Sequence, residues 1–491
     1  MLGKNNNSFF IVAKNSQNSD QAILFLSIGN KDAVPGLVRK LPHYGKYSYL
    51  AFEGDEPTNI AKGQWPVVNS PLVEVMDESA ASIQPVMEKR EALGKLAPVF
   101  NANRIMKHVE YLASDKLQGR GIGTKEIDKA AAYIANKFQE AGLQPGSDDG
   151  AYYQTWSDQI KGEKLELINV IGIIPGTNAE LADKPVIISA HYDHLGLGVA
   201  DVRKGNEGLI HNGADDNASG IAVMLEIAQI LGKSLKPART IIFVAFTAEE
   251  SGLIGSRYFV KNYKKIPVDK TIANLNLDTV GRLFGNKLLI INGTTAKEWK
   301  FIFMGTEYTT GVATDVVSQD FDASDQLAFI EIGIPAVQFF SGPNTDYHKP
   351  SDDVDKIDGD GMVKIATVAR EVLVYLGDRP DPMAFTGEKK SEAATKKPSS
   401  QKGGRKVSTG TMPDFSFSGT GVKISAVSDD SPAAKAGLLK GDVITAFDGK
   451  PVENLKDYSN YLKEHQPGDK IIVTIDRNGK KKDVKLVLAE R

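Results

Sequence analysis

The sequence predicts an α/β chain in which a mostly parallel sheet, covered by helices on both faces, is followed by a polar tether and a small β-rich domain. Three observations predict it. Strand-length apolar runs alternate with helix-length amphipathic runs from Asn101 to Leu376. His, Asp and Glu residues cluster where those apolar runs end, the position where open α/β sheets put their ligands. After Asp378 the composition turns to Lys, Ser, Gly and Pro, and apolar alternation returns only at about Asp414.

The chain has 491 residues, a formal net charge of −3 and no cysteine. That length suits two to four domains with a sizeable core. Near-neutral balance with dispersed Lys and Arg argues against a nucleic-acid surface. Without cysteine there is no disulfide framework, thiolate zinc site or cysteine nucleophile, so any metal must sit on His, Asp and Glu. No apolar run reaches the roughly 20 residues needed to span a bilayer. The amino terminus, Met1 to Asn7, lacks the apolar core of an export signal, which leaves either an internal protein or one whose leader has been removed.

Residues 1–100 read as an accessory region, with strand-like runs at Phe9–Val12 and Tyr47–Phe52 between turn-rich pieces. His43 there has no partner at ligand spacing. From Asn101, Ile105, Val109 and Leu112 recur at helical spacing with His108 off the stripe. A second helix starts after Thr124, an N-cap residue, and stops at Gly142. Strands follow at Ile168–Ile173, Val186–Ala190, Thr240–Phe246, Ile272–Leu277, Leu288–Ile291 and Ala336–Phe340. The intervening helices begin after Ser219, around Ile254 and near Lys297, with a closing helix from Met362 to Leu376. This core domain spans 101–378, and residues 379–413 read as a flexible linker.

Residues 414–491 contain a strand at Val422–Val427, the run Ser431-Pro432-Ala433-Ala434-Lys435-Ala436-Gly437-Leu438, then Lys440-Gly441-Asp442-Val443-Ile444. A helix at Leu455–Glu464 and an Asn478-Gly479 hairpin turn complete the pattern. This run resembles a PDZ domain of the bacterial protease-associated kind. The resemblance implies a groove between strand Val422–Val427 and helix Leu455–Glu464 that takes an extended peptide, with Gly419, Gly421, Val422 and Ile424 lining it and holding a peptide carboxyl end.

The chemistry-bearing residues at strand ends are His191 and Asp193, Asp215 and Asp216, Glu249 and Glu250, Asp278, and His348. Crowded on one sheet edge, the carboxylates would repel each other, and divalent cations would turn that repulsion into binding. A mixed imidazole and carboxylate set suits zinc, whereas magnesium or calcium prefers oxygen alone. Two bridged ions activate water in many hydrolytic sites, and a free carboxylate beside them must collect the proton. The Glu249-Glu250 doublet meets both needs, because sequence neighbours on an extended segment point different ways.

These residues stand in motifs: His191-Tyr192-Asp193, Gly213 to Gly220, Ala248-Glu249-Glu250-Ser251-Gly252-Leu253-Ile254-Gly255-Ser256, Asn276-Leu277-Asp278, and Tyr347-His348-Lys349-Pro350-Ser351-Asp352. In this order they resemble the M28 family of zinc aminopeptidases, over about Asn101 to Leu376. The resemblance implies the zinc-exopeptidase fold and two Zn2+ ions. His191 and Asp278 would bind one, Glu250 and His348 the other, and Asp216 would bridge; Asp215, its neighbour, is the alternative bridge. It implies Glu249 as general base, and Asp193 behind His191, accepting its second ring N–H. His194, His211, Asp325 and Tyr347 stand as candidates for substrate contact or support. One departure is Ser324-Asp325-Gln326, where the family commonly has Ser-Asp-His.

The expected function is therefore a di-zinc aminopeptidase acting on peptides. The PDZ resemblance adds the expectation that a peptide's carboxyl end is held while its amino end reaches the metals. The alternatives are a single-zinc glutaminyl cyclase of the same fold and an inert fold carrying a peptide-binding PDZ domain. Family resemblance points to a secreted or periplasmic protein if a leader has been removed. The long insertion Gly196 to His211 is where substrate choice is expected to be written.

Overall fold

The computed structural model describes residues 6–65 apart from 16, 19 and 20, then 99–198, 202–317, 324–387 and 406–490 apart from 416 and 418. The chain divides into two units, 1–96 and 97–491. In the first, β1 (Asn7–Lys14), β2 (Ala22–Ser27), β3 (Tyr49–Glu53) and β4 (Thr58–Gly63) form an antiparallel sheet in the order β2-β1-β3-β4. Alternation in β1 and β3 sends Phe10, Leu50 and Phe52 inward against Leu37 of α1 (Val34–Lys40).

The second unit holds a nine-stranded sheet in the order β12-β11-β13-β10-β8-β9-β7-β5, with β6 paired to β7. Its strands are β5 (Gln144–Pro145), β6 (Tyr153–Ile160), β7 (Glu163–Ile174), β8 (Val186–His191), β9 (Ile241–Phe246), β10 (Ala273–Leu277), β11 (Leu288–Ile291), β12 (Thr314–Val316) and β13 (Ala336–Phe340). The sheet is mixed rather than uniformly parallel. Its centre, β9-β8-β10-β13, is parallel, while β7 and β11 join it antiparallel. The parallel strands Val186–His191 and Ile241–Phe246 are buried on both faces, which is why they are written as unbroken apolar runs without alternation.

Helices cover both faces. α2 (Ala102–Leu112), α3 (Lys125–Ala141), α4 (Gly220–Leu231), α6 (Glu298–Thr310) and α8 (Gly359–Asp378) supply one core with Ile188 and Ala190 of β8. α5 (Ile254–Asn262) and α7 (Gln326–Ile332) supply the other with Ile187. Thr124 caps α3 by accepting the Ile127 N–H at 3.3 Å, and Gly142 ends it in the left-handed region. Gly220 opens α4, and a Cβ there would meet the Leu277 carbonyl at 2.4 Å. Only glycine lets this helix start against the end of β10, where the site lies.

The carboxyl-terminal domain comprises β14 (Val407–Ser408), β15 (Thr411–Pro413), β16 (Val422–Val427), α9 (Pro432–Lys435), β17 (Val443–Phe447), β18 (Lys450–Pro451), α10 (Leu455–Lys463), β19 (Lys470–Arg477), β20 (Lys480–Val487) and β21 (Ala489–Glu490). Its core is Ile424, Ile444, Phe447, Leu462, Val473 and Ile475. The expected linker over 379–413 is corrected at both ends, while its middle, 388–405, lies outside the described residues. Residues 379–387 pack on the sheet domain, with Met383 buried and Phe385 bridged to Ala296, and 407–413 are already strands of the next domain.

Candidate metal centre

Four of the loops that hold the site leave the carboxyl ends of parallel strands, as the topology of an open α/β sheet requires. β8 ends on His191, β9 runs into Thr247-Ala248-Glu249-Glu250, β10 delivers Asp278, and the loop after β13 carries His348. The fifth segment is the turn Ala214–Ser219 ahead of α4. Non-glycine residues in the left-handed region flank these positions: Ala248 before the glutamates, Thr279 after Asp278, and His348 itself. Each costs on the order of 1–3 kcal/mol and persists because the surroundings over-determine it.

The five predicted ligands converge. His191, Asp216 and Asp278 form one group whose donor atoms lie within 4.8 Å of one another, and His194, Asp216 and Glu250 form a second. His191 Nε2 is 3.3 Å from Asp216 Oδ1 and 3.4 Å from Asp278 Oδ1. His348 Nε2 is 3.3 Å from both Asp216 Oδ2 and Glu250 Oε2. Asp216 thus turns one oxygen to each group. Asp215 does not enter either: its carboxylate accepts the Gly281 N–H at 2.7 Å and the Asn344 amide at 2.9 Å, on the side of Arg282.

The electrostatics of this cluster call for added positive charge. Burial disfavours a charged His191, yet Asp278 and Glu249 raise it well above its ordinary value. Burial would likewise raise Asp216, but His191, His194 and His348 hold it well below the carboxylate range. Burial also opposes ionisation of Glu250, and His348 nevertheless brings it down to about 2. In the chain alone this crowding raises the proton affinity of His191. A divalent cation facing the same lone pairs supplies that charge directly, so the donor set fits zinc.

Glu249 stands apart from both groups. Burial, together with the Glu250, Asp325 and Asp278 carboxylates, pushes it well above its ordinary value against the pull of His191. Its backbone N–H donates to Asp193 Oδ1 at 3.1 Å, and that of Glu250 donates to Oδ2 at 3.3 Å. Asp193 therefore positions the glutamate doublet. The expectation that its carboxylate takes the second His191 nitrogen is corrected: Nδ1 lies 3.2 Å from the Asp193 backbone carbonyl and 3.8 Å from the nearest carboxylate oxygen. The amides of the doublet claim that carboxylate instead.

The remaining candidates separate. His194 Nδ1 sits 2.8 Å from Glu250 Oε1, inside the second group. His211 lies outside both; it pairs with Gly196 at the base of the insertion, with Nδ1 2.9 Å from the Leu209 carbonyl. Tyr347 stacks on His348 with centroids 3.9 Å apart and steadies that ring. Asp325 is fully buried near the site, and burial pushes it up to about 7. Gln326, where the family pattern commonly has histidine, points into a buried amide network with Asn276, Asn292 and Gln338 rather than into the site.

Residue-type reasoning missed three groups. Arg120 is buried and donates to the carbonyls of Tyr192, Leu112, Asn212 and Gly213, lashing the His191 and Asp216 loops together. Asp352 accepts the backbone N–H groups of Asp215 and Asp216 at 3.1 Å, and Arg282 bonds Asp352 and Asp346 at 2.6 Å. Asp352 had a signal, its place in the last motif; the two arginines had none.

The groove residues of the PDZ domain are also corrected. β16 is paired to β15 over Ile424–Val427 and to β17 at Val422 and Lys423, so its edges are occupied. The Gly421 N–H donates to Glu453, the Ile424 N–H to Asp442, and Val422 and Ile424 are buried. A Cβ at Gly421 would meet the Ile444 carbonyl at 2.5 Å, so this glycine serves packing, while Gly419 lies in the exposed turn before β16. β15 forms one outer edge of the sheet, and on that side Thr409 and Thr411 reach Tyr458 of α10 at 2.9 and 3.2 Å. The groove thus lies between β15 and α10.

Family profiles match segments of both the sheet domain and the carboxyl-terminal domain. The profile described as Peptidase family M28 matches residues 169–373, and the PDZ domain profile matches 393–488. Aminopeptidase YwaD of Bacillus subtilis is 32% identical over 199 residues, covering 38% of this chain and 40% of that protein. A probable zinc metalloprotease of Pyricularia oryzae is 29% identical over 231 residues, covering 46% and 43%. The chain thus spans less than half the length of these curated relatives. Among solved structures, a Porphyromonas gingivalis glutaminyl cyclase is 20% identical with a TM-score of 0.49, covering 56% of this chain and 99% of that one.

Proposed function

We propose, for a chain that carries a peptidase family M28 domain followed by a PDZ domain, a zinc-dependent aminopeptidase that releases residues from the amino end of peptides. The observation that carries this reading is the pair of donor groups sharing Asp216, with a fourth carboxylate, Glu249, beside them and in neither. His191, Asp278 and Asp216 would hold one zinc, and Glu250, His348 and Asp216 the other, with His194 against the second. Zinc, when bound, supplies Lewis acidity to the scissile carbonyl and acidifies a water.

The chain's own residues do the rest. Glu249, held by the Asp193 carboxylate through its backbone N–H, takes the proton of the attacking water on its free carboxylate and returns it to the leaving amine. Burial raises its proton affinity, as suits a group that must take up a proton and then hand it on. The Glu250 carboxylate, held low by His348 against the effect of burial, offers the substrate's ammonium group a negative partner.

The test is Glu249→Gln assayed on aminoacyl substrates with metal analysis of the same sample. Turnover should fall by about 10²–10⁴ while zinc content holds. Full turnover in that variant would refute the role of Glu249. One zinc per chain, with cyclisation of amino-terminal glutamine and no release of amino acids, would replace the reading with a single-zinc cyclase.

A further inference from the structure

A cavity of about 390 Å³ runs from Asp278 and Thr279 at the metal centre to Thr411, Met412, Leu455 and Tyr458 of the PDZ domain. The two domains close it jointly. Phe340 at the end of β13 meets Phe415 edge-on at 5.4 Å, and both pack with Ile291 and Leu455. Lys204 in the insertion bonds Glu490 of β21 at 2.7 Å. The groove between β15 and α10 therefore opens onto the metal centre instead of onto bulk solvent alone. Its walls carry two cations beside the centre, Arg203 and Lys349, and Arg203 is anchored by donating to the Tyr347 carbonyl at 3.0 Å.

We propose that this cavity receives the carboxyl-side residues of a short peptide, with the free terminal carboxylate held by Arg203 and Lys349, so that the PDZ domain is a wall of the substrate site. The inference rests on the aminopeptidase reading and adds its substrate class: short peptides with a free carboxyl end. Charge decides the direction of the peptide. The carboxylates of the metal centre favour the substrate's ammonium group, and the cationic wall favours its carboxylate. The volume sits at the small end of ligand cavities, roughly 300–1,000 Å³, which suits a few residues and not a long chain.

The experiment uses the full chain with zinc and four probes: leucine 4-nitroanilide, the tripeptide Leu-Gly-Gly, its carboxyl-terminal amide, and a decapeptide with the same first residues. The free tripeptide should show a KM about tenfold below its amide, and the decapeptide a kcat/KM about tenfold below the free tripeptide. Arg203→Gln should raise KM for the free tripeptide about tenfold and leave the amide and the nitroanilide within twofold. Ser459→Trp, on the α10 side of the cavity, should slow both tripeptides and spare the nitroanilide. Equal KM values for acid and amide, with Arg203→Gln treating them alike, would overturn the inference and leave the aminopeptidase reading intact. No cleavage of any probe, the nitroanilide included, would overturn that reading instead.

Discussion

The metal centre and the PDZ groove meet at one cavity yet are built on opposite principles. The metal centre is made of buried, ionisable side chains, each held by several bonds from neighbouring loops: Asp193 takes two amides, Asp352 two more, and Arg120 binds four carbonyls. The groove is made of backbone and apolar surface, with a three-residue outer strand, a helix and a few hydroxyl contacts. Buried charges tolerate only one arrangement, because a misplaced one is left unpaired in low dielectric at a cost of several kcal/mol. An edge strand tolerates many, because its pairing groups are the same at every residue. The first kind of site is written in residue types, and the second in pairing.

Breaking the comparison at its strongest point gives the largest effect. Asp216→Ala removes the one carboxylate common to both donor groups. It should drop zinc content well below that of the parent protein and reduce turnover to background, while the PDZ domain stays folded; metal analysis and circular dichroism check this. Retention of full zinc would break the two-group picture. Asp352→Ala acts one step further out, freeing the amides of Asp215 and Asp216 and stranding Arg282. Zinc affinity should fall about 10–100-fold, measured by competition with a chelator, with the fold retained.

The groove should respond in stability rather than in metal. Gly410 joins β14 to β15 at φ +76°, and a Cβ there would meet the Ser431 Cβ at 2.1 Å. Gly410→Ala should destabilise the PDZ domain by roughly 1–3 kcal/mol in a denaturant titration and leave zinc binding unchanged. A loss of zinc in this variant would mean that the two regions are more tightly coupled than their separate cores suggest.

The smallest effect sharpens the electrostatic contrast. Burial would raise Asp442, but the Arg477 guanidinium, at 2.6 and 2.7 Å, and the Leu439 amide hold its carboxyl below the usual range. A carboxyl lowered by folding contributes stability above its unfolded value of about 4, and that stability is lost as pH falls through the folded value. The PDZ domain should therefore loosen in acid below about pH 4, and Asp442→Asn should flatten that part of its pH–stability curve. An unchanged acid limb would remove the ion pair from the account.

Much of the sheet domain was legible because its strands and helices carry strong period signals and its candidate ligands are residues that do chemistry. The central strands and the helices from Thr124 to Asp378 follow the expected order, and all five expected ligands meet. What escaped was relational. That Asp216 rather than Asp215 turns to both groups depends on which carboxylate Gly281 and Asn344 claim. That Asp193 holds the glutamates depends on the path of the chain after β9. The antiparallel hairpin of β6 and β7 extends the sheet beyond its parallel centre, and residue type alone does not say on which side such a hairpin adds.

The sequence by itself determined the α/β alternation, the polar stretch ahead of the PDZ domain and the residue types gathered at the strand ends, because apolar period and titratable residue type are local properties. Tertiary structure alone decided which edge of the PDZ sheet lies beside α10, which groups hold the candidate ligands, and that the groove and the metal centre share one cavity. Those depend on hydrogen-bond partners and packing between segments far apart in the chain, and no single residue carries that information.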